Sequence, residues 1–189
     1  SILNELDKRY ENIITKPEQY RTQILYTQID RDVNNNPKFT NHTFGVRLDN
    51  YFYPASTIKL PVAILALEKL NRIDLINKDT YLNILPGSDK LTGVTRDLSS
   101  GSGFASISHY IHKLFVVSDN DSFNRLYEFL GRDHINQRLW DLGYAQTRIR
   151  HRLSLSLTDS ENRYTNAFQF FKDSLTTVSY THLRAHETV

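Results

Sequence analysis

The sequence predicts an α/β fold of the α+β kind, in which a hairpin of two strands precedes a series of helices. Residues 24–29 are Ile-Leu-Tyr-Thr-Gln-Ile, a run of branched and aromatic side chains that is typical of a strand. Residues 42–48 predict a second strand, and the Asn-rich segment 32–37 between the two predicts a turn. In much of the remaining chain, apolar side chains recur at helical spacing. A chain of 189 residues is expected to form one domain from these elements.

Six helices account for most of the predicted secondary structure outside the hairpin. They are expected at residues 3–15, 58–70, 106–117, 121–130, 133–142 and 166–175. Pro17 marks the end of the first helix, and Gly131 and Gly143 end two of the later ones. Residues 79–103 are polar and rich in Gly and Ser, and residues 144–163 lack periodicity, so both segments are expected to be loops.

The composition argues against several classes of partner. The net charge of +2 is small and spread along the chain, so we expect no nucleic-acid partner. The longest apolar run, 60–67, is too short to span a bilayer, and cysteine is absent, which removes disulfides and cysteine metal sites. His109 and His112 have a spacing that a metal can use, but the sequence shows no third ligand nearby. We therefore expect neither a metal nor a cofactor.

Two short motifs carry most of the functional information. Residues 56–59 (Ser-Thr-Ile-Lys) form an S-x-x-K motif at the start of the most apolar helix, and residues 118–120 (Ser-Asp-Asn) form an S-D-N motif. By chance, a chain of this composition would contain about 0.7 S-x-x-K matches but only roughly 0.09 S-D-N matches. Their joint occurrence in this order indicates enzymes that acylate a serine.

The two motifs supply the groups that acyl transfer needs. Ser56 and Lys59, at positions i and i+3, share a helix face, so the Lys59 amine is expected to reach the Ser56 hydroxyl. Burial favours a neutral amine, which can accept the hydroxyl proton. The helix N-terminus stabilises the negative charge that develops. We expect Ser118 to relay a proton to a leaving nitrogen, and Asn120 to orient Lys59 and a substrate amide.

Each of these residues also has a purely structural explanation. Ser56 can cap the helix, Lys59 can extend along it to water, and residues 118–120 can form a capping turn before the next helix. The joint occurrence of the motifs favours the catalytic interpretation.

Four segments of the sequence match a known family. They are 53–59 (YPASTIK), 117–126 (VSDNDSFNRL), 142–149 and 163–166. They resemble the corresponding segments of serine β-lactamase-related proteins, the class A or penicillin-recognising family of serine hydrolases. The resemblance covers about residues 20–176 and implies a sheet domain plus an all-helical domain, the latter at about 57–145. In this β-lactamase/transpeptidase-like fold, the active site lies between the two.

The resemblance implies a serine hydrolase that is acylated at Ser56 by a β-lactam or a peptide-like amide. It assigns catalytic roles to Lys59 and Ser118 and substrate binding to Asn120. It also implies a monomer in the periplasm or cell envelope with a small-molecule or peptidoglycan-like substrate. Two alternatives stay open: a penicillin-binding-type protein that releases its acyl group slowly, and a non-catalytic binding module of the same fold.

The sequence departs from the family pattern in two places. The third family motif, K-T-G on a late strand, is missing. Residues 90–93 (Lys-Leu-Thr-Gly) look similar but are not this motif, because they have one residue too many and precede the S-D-N motif. Hydrolytic class A enzymes also carry a glutamate that activates the deacylating water. Counting from the matched segments puts its place at Leu153, and the nearest acids, Asp159 and Glu161, are out of register. We therefore expect slow deacylation.

The C-terminal residues look foreign to the family. Residues 178–188 resemble the in-frame translation of a transposase-type sequencing adapter, so we expect residues 1–176 to be a partial catalytic domain and 177–189 to be a non-native tail. We expect the tail to pack against nothing, and the chain without the late strands to be inactive. Because the chain has no methionine, even at its first position, we also expect it to begin inside a longer reading frame or after processing.

Overall fold

The computed structural model describes residues 2–5, 8–47, 49–173 and 176–181. These residues fall into two compact units, divided between Tyr53 and Pro54. Helices and antiparallel sheets are both present, so the predicted α/β class is confirmed. Within the described residues, no helix is both long enough and apolar enough to cross a bilayer.

The first unit consists of short helical segments and one hairpin. Its elements are 3₁₀ turns at Ile2–Glu5 and Lys8–Tyr10, helices α1 (Glu11–Thr15) and α2 (Pro17–Tyr20), and strands β1 (Ile24–Arg31) and β2 (Pro37–Phe44). In the described residues of the helix predicted at 3–15, the structure has short segments instead of one helix, and residues 6 and 7 lie outside the described part. The hairpin is confirmed, but its second strand begins at Pro37 and ends before Gly45, whereas the sequence predicted residues 42–48. Leu48 lies outside the described residues.

The hairpin turn explains why the second strand begins early. The Asp32 carboxylate accepts hydrogen bonds from the backbone N–H groups of Asn34 and Asn36, at 2.8 and 2.9 Å, and Asn35 has a positive φ of 65°. This tight turn pairs Arg31 with Pro37 directly after it. Proline is tolerated as the first residue of a strand, so β2 can start there.

The second unit combines four helices with a three-stranded sheet. The helices are α3 (Lys59–Leu70), α4 (Ile107–Val116), α5 (Asn120–Leu130) and α6 (Arg132–Asp141), with 3₁₀ turns at Ala55–Ile58 and Glu161–Arg163. The strands are β3 (Tyr81–Leu85), β4 (Ala167–Asp173) and β5 (Thr176–Thr181), in the antiparallel order β3-β4-β5. All four helices were predicted from the sequence, with boundaries that agree within one or two residues.

Two predictions for this unit were wrong. The predicted loop 79–103 contains β3, and the predicted helix 166–175 is strand β4. In β3 the side chains of Leu82 and Ile84 are buried, which is the alternation of a half-buried strand. In β4, which pairs with β3, Ala167, Phe168, Phe170 and Phe171 are all buried. Pairing between two distant segments therefore determines the structure of both.

The C-terminal segment also differs from the expectation. The backbone of residues 176–181 pairs with β4, so the prediction that the chain from Val178 packs against nothing is wrong for residues 178–181. Threonine, valine and tyrosine favour strands, and β4 offers these residues an edge with which to pair. Residues 182–189 lie outside the described part of the chain.

The hydrophobic core of the second unit surrounds α5. Residues 122–130 are all buried, because α3, α4 and α6 pack around this helix. Phe129 of α5 makes edge-to-face ring contacts with Phe168 and Phe170, at centroid distances of 5.5 and 6.0 Å. The helices and the sheet therefore share one core.

A buried charge network ties α5 to the loop that follows α6. The Glu128 carboxylate accepts hydrogen bonds from Arg152 Nε at 3.0 Å and Asn166 Nδ2 at 2.9 Å, and Arg125 Nη1 lies 3.7 Å away. Burial raises the pKa of Glu128, while the two arginines oppose that change. Arg152 also donates to the carbonyl of Tyr164 at 2.6 Å. The network therefore ties the middle of the loop, at Arg152, and its C-terminal end, at Tyr164 and Asn166, to α5.

We expect the Arg152→Met substitution to lower the free energy of unfolding by about 3–5 kcal/mol at neutral pH. The variant leaves the buried Glu128 carboxylate without its main cation. The loss should become smaller at acid pH, because a protonated Glu128 needs no counter-charge. Chemical denaturation measures the effect, and Arg150→Met is the matched control because its side chain is 69% exposed. Equal, small losses in the two variants would contradict a stabilising role for the buried pair.

Candidate active site

Ser56 lies in the first turn of the helical segment that continues into α3. It belongs to the 3₁₀ turn Ala55–Ile58, and the turn is stabilised by Thr57, whose hydroxyl donates to the Pro54 carbonyl at 2.5 Å. Ala55 has a positive φ of 46°, which is unfavourable for a residue with a side chain. This strained entry presents Ser56 on the surface, with its hydroxyl accessible.

Lys59 is buried beneath Ser56 and is held by the S-D-N turn. Its side chain is 3% exposed, and Nζ contacts three acceptors: the Ser118 carbonyl, the Ser118 hydroxyl at 3.0 Å and Asn120 Oδ1 at 2.7 Å. Burial lowers the pKa of Lys59, and the negative charge of Asp119 acts in the opposite direction. The balance brings the amine closer to its neutral, basic form.

Ser118 connects the lysine to the serine. Its hydroxyl lies 3.2 Å from Ser56 Oγ and 3.0 Å from Lys59 Nζ, so the three side chains form one hydrogen-bonded chain. No direct hydrogen bond joins Lys59 to Ser56, although their helical spacing predicts that the amine reaches the hydroxyl. Ser118 has a positive φ of 53°, so the backbone at the motif is strained.

The S-D-N turn is positioned by the start of α5. Asp119 is the N-cap residue of α5, and its carboxylate accepts hydrogen bonds from the Ser122 backbone N–H at 2.9 Å and the Ser122 hydroxyl at 2.5 Å. Asn120 follows as the first residue of the helix. The capping interaction explains why aspartate suits the middle position of the motif.

Ser154 is a member of the cluster that the sequence analysis missed. Its hydroxyl accepts a hydrogen bond from Asn120 Nδ2 at 2.8 Å, and its φ is 56°. Leu153, the deduced place of the deacylating acid, instead packs against the core, and its backbone N–H and C=O are both bonded to the Asn124 side chain. The loop residue that reaches the motifs is therefore one position later than predicted. The left-handed backbone that turns Ser154 towards Asn120 has no sequence signal.

An open cleft of about 360 Å³ lies beside the cluster. Its lining combines the polar groups of both motifs with apolar side chains of α3 and α4: Ser56, Thr57, Lys59, Leu60, Leu114, Phe115 and Ser118. Leu60 and Phe115 are each more than half exposed, so the cleft offers apolar surface beside the polar groups of the motifs. The cleft has the mixed character of a small-molecule site.

Asp159, Glu161 and His109 have partners outside the Ser56 cluster. Asp159 binds Arg132 and Arg150, and Glu161 binds Lys90, so neither carboxylate contacts the Ser56 cluster. His109 is hydrogen-bonded to Asp97, and the described part of the chain contains no group of three residues that could hold a metal ion.

Comparison with known proteins gives one match. The model of the beta-lactamase enzyme family matches residues 5–181, which includes both motifs, the loop with Ser154 and all five strands. No curated protein and no solved structure matches the chain. The resemblance inferred from the motifs is therefore confirmed at the level of the family, a group of serine β-lactamase-related proteins. The chain belongs to the beta-lactamase enzyme family.

Proposed function

We propose that the protein is a serine hydrolase in which Ser56 is acylated by a β-lactam or a peptide-like amide. The observation that carries this proposal is the hydrogen-bonded chain from Ser56 through Ser118 to the buried Lys59 amine. A nucleophile linked by hydrogen bonds to a base, which is held in turn by a third group, is the arrangement that activates a serine, and here the Ser118 hydroxyl supplies the link. Here the third group is Asn120, at 2.7 Å from Lys59 Nζ.

In the proposed acylation, a neutral Lys59 amine receives the Ser56 proton through the Ser118 hydroxyl. The Ser56 oxygen attacks the substrate carbonyl carbon, and the carbonyl oxygen takes the negative charge, which backbone N–H groups at the helix start stabilise. The proton then returns from Lys59 through Ser118 to the ring or peptide nitrogen, and the C–N bond breaks. The product is an ester on Ser56 and a neutral Lys59.

Asn120 is proposed to bind the substrate amide while it holds Lys59. Its Oδ1 accepts from the Lys59 amine, and one of its two N–H groups donates to Ser154. The second N–H can donate to the substrate carbonyl without disturbing either bond.

We propose that the resulting ester is hydrolysed slowly. A water that attacks the ester needs a base within hydrogen-bond reach, and the loop places the Ser154 hydroxyl at Asn120 rather than a carboxylate. In this respect, the protein would behave as a penicillin-binding-type protein. Stopped-flow measurement with a chromogenic cephalosporin should give a burst of about one equivalent and then little turnover.

We expect Ser154→Glu to raise steady-state turnover by about 10²-fold or more, because it introduces a carboxylate beside Asn120. Leu153→Glu is the matched control, since it inserts the same side chain one residue earlier, where the native side chain packs against the core. An increase with Leu153→Glu alone would show that the deacylation position is the one deduced from the sequence. Rapid turnover in the unmodified protein would contradict slow deacylation.

The overall proposal is tested by exposing the full-length protein to penicillin and measuring its intact mass. An increase by the mass of one penicillin is expected, since ring opening expels no fragment. An unchanged mass would favour the alternative of a non-catalytic binding module.

The location and assembly of the protein are also proposals. We propose a monomer in the periplasm or cell envelope, because peptidoglycan-like substrates lie outside the cytoplasm. Light scattering after size-exclusion chromatography tests whether the protein is a monomer. Cell fractionation tests where the protein is located.

A further inference from the structure

Lys113, near the C-terminus of α4, contacts the S-D-N turn through both its backbone and its side chain. Its carbonyl accepts the backbone N–H groups of Val117 and Asp119, at 3.1 and 3.4 Å. Its ammonium lies 3.7 Å from Asp119 Oδ2 and 3.9 Å from Asp97 Oδ2, and its side chain is 27% exposed. Neither motif includes this residue.

The negative charge of Asp119, which Lys113 faces, opposes the proposed role of Lys59 as a base. Burial acts to raise the pKa of Asp119, but hydrogen bonds from Ser122 and the charge of Lys113 hold that pKa below its ordinary value, so the carboxylate is ionised. An ionised Asp119 stabilises the protonated form of Lys59, which cannot act as a base. A compensating cation at Asp119 therefore favours the useful form of the Lys59 amine.

We propose that Lys113 is a positioning residue that offsets the charge of Asp119 and thereby favours the neutral form of the Lys59 amine that catalysis needs. The inference rests on the proposed function, in which Lys59 is the base. The effect runs through Asp119: the Lys113 ammonium, 3.7 Å from Asp119 Oδ2, screens the carboxylate that stabilises the protonated form of Lys59. Removing Lys113 therefore makes Lys59 harder to deprotonate.

Two carboxylates lie near the Lys113 ammonium, those of Asp119 and Asp97. Asp97, in the loop after β3, lies 3.9 Å from the ammonium, and its carboxylate is also bonded to His109 Nε2 at 3.1 Å and to Ser99. The charged and titratable groups near Lys113 are thus Asp97, Asp119 and, through Asp97, His109. The charged group that acts on Lys59 is Asp119.

The test compares Lys113→Met with Lys113→Arg, which keeps the charge, and with Lys78→Met, which removes an exposed cation paired with Asp79. Two readouts are followed: the NMR titration of the Lys59 side chain, and the pH profile of penicillin acylation. In Lys113→Met we expect the Lys59 pKa to rise, the ascending acid limb of the profile to move to higher pH, and acylation at neutral pH to slow about 3- to 10-fold. Lys113→Arg should restore both readouts, and Lys78→Met should change neither.

A second variant keeps the inference testable if Lys113→Met folds poorly. Asp119→Asn retains a good N-cap residue and removes the negative charge, so it should lower the Lys59 pKa, and it should weaken the effect of Lys113→Met when the two are combined. Slower acylation with an unshifted Lys59 titration would show a merely structural role and overturn the inference. If the protein is not acylated but the Lys59 titration still shifts as expected, the proposed function fails and the electrostatic role of Lys113 stands.

Discussion

We expect Ser56→Ala to abolish covalent labelling of the protein by a fluorescent penicillin. Alanine removes the only atom that can form the ester, while the chain of Lys59 and Ser118 stays in place. The change is small and lies on the surface, so the fold should be retained, and circular dichroism can confirm this. Labelling is measured on a denaturing gel, where only covalent adducts survive.

The control for this variant is the neighbouring hydroxyl of Thr57. It donates to the Pro54 carbonyl and contacts no member of the lysine chain. Thr57→Val keeps the shape of the side chain and should still be labelled. Labelling that persists in Ser56→Ala would remove Ser56 from the proposed mechanism, even if penicillin binding were retained.

We expect Lys59→Met to slow acylation by about 10²- to 10⁴-fold, the usual contribution of a general base. Methionine fills a similar volume without an amine, so Ser118 loses the group that takes its proton. Lys59→Arg should not restore the rate, because a guanidinium stays protonated. Stopped-flow acylation rates at several penicillin concentrations separate this effect from weaker binding.

Lys69 provides the matched control on the same helix. It is largely buried, its pKa is lowered to about 8 by burial, and its amine donates to the Phe129 carbonyl at 2.6 Å. Lys69→Met should leave the acylation rate within about a factor of two, because this amine contacts no member of the cluster. Equal loss in both variants would mean that a buried cation in α3 supports folding rather than catalysis.

The helices and the two motifs could be predicted because their signals are local. Ser56 and Lys59 belong to one helical turn, and the N-cap signal of Asp119 lies within four residues of the bonds that it makes. The contact of Lys59 with Ser118 and Asn120 joins segments about 60 positions apart. The spacing of the two motifs along the chain does not predict that contact. It was expected only because the proposed chemistry needs a base, a proton relay and an orienting amide in one place.

The predictions that were wrong depend on distant partners or on local backbone geometry. Strands β3 and β4 become strands by pairing Tyr81 with Phe171 and their neighbours, and neither segment shows this partner in its own sequence. Ser154 reaches Asn120 because its backbone is left-handed, which shifts the loop by one residue from the alignment. A one-residue shift exchanges an apolar residue that packs against the core for a polar residue in the site.

Peptide mapping of the penicillin-treated protein tests the central claim most directly. Trypsin releases residues 48–59, a peptide that carries Ser56 together with the rival hydroxyls of Tyr51, Tyr53 and Thr57. Tandem mass spectrometry can place the added penicillin mass on one residue. The proposed mechanism predicts an ester on Ser56 in this peptide. An adduct on another of these hydroxyls, or in a different peptide, would contradict it.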